Sequence, residues 1–225
     1  MARVTTDSGP GTLLPEAFYV FLRRRCSEAV GLALIVGAVG LLIALLSFTP
    51  SDVSLNSATT GTVPNLIGRP GSYAADLMLQ ALGLAGGLPV IAAIVWGSQI
   101  LRRRPPTRPW FRLALLFLAI VFLATAFAAM PIPGAWPLAI GFGGVVGDLA
   151  GSGIAAALAT LQTPVPAWGI AIAATVLAVA ALIGALGVSW SDWQASGRGL
   201  IAGGAAMGRG LKRGREFAVD GVARL

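Results

Sequence analysis

Four stretches of the chain carry no charged residue: 29–51, 77–101, 113–147 and 149–191. A helix needs roughly 20 apolar residues to cross about 30 Å of hydrocarbon, and each stretch is long enough. Only 11% of the 225 residues are charged and 56% are hydrophobic. An ordinary soluble domain carries about 25% charged residues, so a globular surface is excluded. Uncharged runs of this length point to an all-α membrane protein.

The basic residues set the topology. Of 16, Arg3, Arg23, Arg24 and Arg25 precede the first run. Arg102, Arg103, Arg104, Arg108 and Arg112 share the segment "RRRPPTRPWFR", and six more lie beyond residue 197. Only Arg69 lies elsewhere. Three segments are thereby marked as cytoplasmic. The chain must cross an even number of times between each. Runs 29–48 and 75–101 supply the first two crossings. Between the second and third basic segments stand 113–130, 138–161 and 167–188, one too many. The weakest is 138–161, with six glycines and Asp148. An aspartate is costly at membrane depth, so this segment is expected as an interfacial or re-entrant helix on the outer side.

Four spans with both termini inside result. Residues 1–28 form a basic tail, 29–188 the membrane domain with outer loops 49–74 and 131–166, and 189–225 a second tail. Trp110, Trp136, Trp168, Trp190 and Trp193 fall at expected interfaces, where indoles prefer to sit. Trp96 lies within the second span. The first run is read as a retained anchor, because no small-x-small cleavage site follows it. The last segment has eight glycines among its basic residues. It reads either as a surface helix on anionic lipid or as the start of a flexible linker.

Chemistry is sparse. There is no histidine, and Cys26 is the single cysteine. No catalytic residue, metal site or cofactor is expected, and no phosphate-binding loop GxxxxGK[ST] occurs. The pI near 11.2 follows from the inside excess of arginine without invoking nucleic acid. Asp76 reads as favouring the positive end of a helix dipole, and Asp148 as a candidate partner for Arg69. Small residues let membrane helices approach closely. Gly83 and Gly87 are candidates at GxxxG spacing, and Gly143, Gly147 and Gly151 form a ridge at i, i+4, i+8. These glycines serve either packing within one bundle or contact with another subunit. Two rivals to a structural module are a small transporter or channel subunit using Asp76 and Asp148, and a nucleic-acid binder using the basic tail.

Order and spacing then suggest a family. After the first span, Ser47, Phe48, Pro50 and Asp52 form Ser-aromatic-x-Pro-x-Asp. Asn65, Gly68, Gly71, Ala75 and Asp76 follow as Asn-x-x-Gly-x-x-Gly-x-x-x-Ala-Asp. "GFGGVVGDLAG" and "GVSW" come later in order. Together these make residues 25–195 resemble the N-terminal membrane domain of the FtsK/SpoIIIE DNA translocases. The resemblance implies a septal anchor in the bacterial inner membrane, homo-oligomeric as a hexamer. It also implies division-machinery membrane proteins as partners and contact with DNA only through a motor domain. That motor's Walker motifs are not in these residues. The chain is accordingly expected to be either a piece of a longer translocase or a stand-alone relative. Pro50, Asp52, Asn65, Gly68 and Gly71 read as turn formers, with docking of division proteins the functional reading of the loop.

Overall fold

The structure, a computed structural model, describes residues 16–50, 64–132, 140–162 and 165–187. The chain divides into 1–186 and 187–225, and the helices described belong to the first unit. They are α1 (Glu16–Leu46), α2 (Gly68–Leu82), α3 (Gly87–Leu101), α4 (Pro109–Ala128), α5 (Gly144–Thr160) and α6 (Ala167–Leu186). Among the described residues there is no strand. Among the described residues four stretches are long and apolar enough to span a membrane: Phe18–Leu46, Gly68–Leu101, Pro109–Ala128 and Ala167–Leu186. The fifth apolar helix, α5, is shorter.

The second span differs from the expectation. Helix begins at Gly68, not at 75, so "GRPGSY" is helix and not loop. Pro70 is tolerated there because it lies in the first turn, where no intrahelical N–H bond is needed. α2 and α3 are joined by a 3₁₀ turn, Gly83–Gly86. Pro89, in the first turn of α3, has no N–H to offer the carbonyl four residues back, and the tighter turn sits at that place. The 34-residue stretch is not one straight rod, because the backbone leaves helical geometry at Gly83; the turn and α3 alone run about 30 Å at ~1.5 Å per residue, the thickness of the hydrocarbon. α2 holds Arg69, Ser72, Asp76 and Gln80, whereas the turn and α3 hold only Ser98 and Gln99 besides Trp96. The turn and α3 therefore match the hydrocarbon, and α2 is the part that emerges.

α1 likewise starts at Glu16, before the apolar run at 29. Residues 18–27 of it are exposed. Glu28 accepts from Arg24 at 3.1 Å and Arg25 at 2.8 Å, and Arg25 lies over the Phe21 ring at 5.4 Å.

The helices pack mainly as two pairs, α1 with α3 and α4 with α6; α5 lies on α4 and α2. The buried apolar side chains are mostly alanines, among them Ala38, Ala92, Ala119, Ala124, Ala174 and Ala178. Large ones such as Leu32, Val36, Phe117 and Val176 face outward. A water-soluble core shows the reverse; close approach of backbones is how membrane helices associate. α1 crosses α3 at Gly31 and Gly97. A Cβ on Gly97 would stand 2.7 Å from the Gly31 carbonyl oxygen. Trp110 and Trp168, at the starts of α4 and α6, are exposed.

Candidate functional site

Three joints hold these helices, and most of the singled-out residues lie in them. The first closes the ends of the loop after α1. Asn65 is buried. Its amide donates to the Ala44 carbonyl at 2.9 Å, and its side-chain oxygen accepts from the Ile67 N–H at 3.1 Å. Ser47 donates to the Ile43 carbonyl at 2.7 Å and accepts from the Leu66 N–H at 3.2 Å. The last carbonyls of α1 and the first N–H groups before α2 are thus satisfied by two side chains. A Cβ on Gly71 would come within 2.6 Å of the Asn65 oxygen, so only glycine admits that side chain. Gly68 opens α2 with open space around it. Asp76 is buried one face along, where Oδ1 accepts from Gln80 at 2.7 Å. Pro50 is exposed; Asp52 lies outside the described residues.

The second joint is made of backbone. Gly83 and Gly144 have φ of +59° and +62°. The Leu84 N–H donates to the Phe142 carbonyl at 2.9 Å. A Cβ on Gly83 would overlap that carbonyl, and one on Gly144 would stand 2.5 Å from the Gly83 nitrogen. A left-handed conformation costs another L-residue about 1–2 kcal/mol even where there is space. On the other side of α5, a Cβ on Gly143 or Gly147 would overlap the Ala124 carbonyl oxygen of α4. The 3₁₀ turn, α5 and α4 therefore meet with no side chain between them. Gly151 only grazes Thr125, at 4.0 Å, and Gly87 meets nothing within 4 Å. The ridge in α5 is thus a contact over Gly143 and Gly147, and the GxxxG pair of the second span is a contact at Gly83 alone.

The third joint is polar. α6 ends with Ala185 and Leu186 buried, and a helix terminus leaves its last carbonyls without intrahelical partners. Trp96 Nε1 donates to the Ala185 carbonyl at 3.1 Å and Gln99 Nε2 to the Leu186 carbonyl at 2.9 Å. Arg112 Nη1 reaches Gln99 Oε1 at 3.1 Å and the Leu186 carbonyl at 3.2 Å. Its cation also complements the negative end of the α6 dipole. Sequence reasoning missed this joint. Trp96 and Gln99 stand three apart on an otherwise apolar helix, which was the available signal.

Asp148 is exposed on α5 and borders a cavity of about 200 Å³ with Thr125, Ala128, Ser152 and Ile170. Asp76 does not line it. The ion pairs among the described residues both involve Glu28, so Asp148 and Arg69 are not paired there.

Residues 23–196 match the family described as the 4TM region of DNA translocase FtsK/SpoIIIE. The chain belongs to this family. It is 38% identical over 60% of its length to the DNA translocase FtsK of Bradyrhizobium diazoefficiens, covering 16% of that protein. It is 33% identical over 89% of its length to the DNA translocase FtsK of Azospirillum brasilense, covering 32% of that protein. It thus spans a third or less of these curated relatives' own length. No solved structure matches the chain. Of the motif residues that made the sequence resemble FtsK/SpoIIIE proteins, Ser47, Asn65, Gly68 and Gly71 gather at the first joint, and Asp76 lies further along α2. The glycine-rich segment that resembled the family's later one forms the second.

Proposed function

We propose that this chain is the membrane anchor and oligomerisation platform of a bacterial cell-division DNA translocase, acting at the septum in the inner membrane. One observation carries the reading: the chain matches the translocase family over its four-span region and spans a third or less of relatives named DNA translocase FtsK. It acts as an interaction module, with ATP-driven movement of DNA belonging to a motor outside residues 23–196. The basic segments keep both termini and the α3–α4 loop cytoplasmic. α2, α5 and the segment after α1 then face the periplasm, where division-machinery membrane proteins can meet them. Self-association is supported by Gly37 and Gly40 on α1, around which a Cβ would meet nothing within 4 Å. They border a shallow groove with Ile67 and Ala74.

The test begins with the native polypeptide. An antibody against residues 1–22 is expected to label a membrane band far above 22.9 kDa. A band at the chain's own mass would make it an anchor working with a separately encoded motor. Reporters fused after Thr60 and Gly151 are expected outside and one after Arg104 inside; a cytoplasmic reporter at Gly151 would overturn the topology. A fluorescent fusion spread evenly around dividing cells would overturn the septal assignment.

A further inference from the structure

A cleft of about 190 Å³ opens between the two helix pairs at their arginine-rich end. Its walls are Leu34 of α1, Trp96 and Ile100 of α3, Pro109 and Leu113 of α4, and Pro106 of the connecting loop. Arg112 also borders it. Yet the guanidinium of Arg112 is held by Gln99 and the Leu186 carbonyl, and the indole N–H of Trp96 by the Ala185 carbonyl. The two residues able to make the cleft polar therefore present it with carbon. Apolar cavities of this kind stay dry, and at membrane depth the neighbouring material is acyl chain.

The rim has the opposite character. Arg102, Arg103 and Arg108 are exposed and stand next in sequence to the lining residues Ile100, Pro106 and Pro109. No acidic residue occurs between Asp76 and Asp148, so this segment of the sequence is purely basic. The rim is also shaped. The Arg103 N–H donates to the Ile100 carbonyl at 3.0 Å and the Arg104 N–H to the Gln99 carbonyl at 2.8 Å. Arg103 and Arg108 hold φ of 59° and 54°, a conformation that ordinary residues adopt rarely. A guanidinium binds phosphate oxygens in a bidentate fork, and basic pockets between membrane helices take anionic headgroups.

We propose that this cleft binds one anionic phospholipid, with an acyl chain between α1, α3 and α4 and the phosphate on Arg102, Arg103 and Arg108. The lipid would fill the gap that the two helix pairs leave between their joints. Shared charge complementarity selects the headgroup; the apolar wall alone would accept any lipid.

The full chain is reconstituted with Trp96 as its single tryptophan, the other five changed to phenylalanine. The bilayers are phosphatidylcholine containing a minor fraction of brominated phosphatidylglycerol or, separately, brominated phosphatidylcholine. Trp96 fluorescence is expected to report an apparent affinity about fivefold higher for the anionic lipid. The double substitution Arg103→Ala and Arg108→Ala is expected to bring the ratio to about one. Equal quenching by both lipids, quenching by neither, or a preference surviving the double substitution overturns the proposal. Native mass spectrometry of the unsubstituted chain reads the same preference independently. One retained phosphatidylglycerol from an equimolar mixture is expected, and equal retention of both lipids overturns it.

Discussion

The glycine joint and the polar clamp both connect the α1–α3 pair to the α4–α6 pair, by opposite means. At Gly83, Gly144 and Gly147 the backbones touch, so specificity comes from the absence of side chains. Trp96 and Gln99 of α3 reach across to bare carbonyls of α6, and Arg112 of α4 binds both Gln99 and one of those carbonyls. The first contact has no slack: an added methyl meets a carbonyl or a peptide nitrogen. The second has rotatable bonds and several donors for two acceptors, so the loss of one is partly covered by the others. A membrane interior raises the cost of an unpaired polar group. Among the described residues no buried side-chain nitrogen or oxygen lacks a partner.

Substitutions can break this contrast, beginning with the largest effect. Gly144→Ala is expected to destabilise the folded state by roughly 3–5 kcal/mol, combining a left-handed backbone with overpacking. Reversible unfolding in mixed micelles measures it, and a loss under about 1 kcal/mol would show that the joint yields. Gly147→Leu comes next, at roughly 2–3 kcal/mol, by pushing α5 off the Ala124 carbonyl. The same unfolding experiment, with protease access to α5 as a second readout, separates local detachment from global loss. In the clamp, Gln99→Leu and Arg112→Leu are each expected to cost about 1–1.5 kcal/mol. Their double-mutant cycle should show about 0.5–1.5 kcal/mol of coupling through the shared Leu186 carbonyl; strict additivity would mean that the two act separately. Smallest is Gly87→Ala, with open space and φ of −69°. It is expected to gain about 0.5 kcal/mol through a less flexible unfolded chain, and a clear loss would place a hidden contact there.

Hydropathy and arginine placement made the four spans and the odd, shorter helix legible, because both signals extend over many residues. What they could not carry was contact between single residues far apart in sequence. Gly31 and Gly97 form the crossing of α1 and α3, yet neither was among the spaced glycines read from the sequence. Gly87 fits such a spacing and meets nothing within 4 Å. Spacing describes one helix face; a partner must be present on it. The start of α2 was hidden by Gly68 and Pro70, residues that mark turns and also suit a first helical turn. Arg112 was absorbed into the basic cluster, since its charge announced a side of the membrane before its reach announced a partner. Asn65 and Gly71 were legible as turn formers, but their closure onto Ala44 requires the end of another helix.

The capped end of α6 has a mechanical consequence. A pull on the chain beyond Leu186 arrives first at a carbonyl gripped by Gln99 and Arg112, one on α3 and one on α4. A bare terminus would let such a load peel the last helical turn bond by bond. Here the load is shared in shear between two neighbouring helices, so the four spans resist as a block.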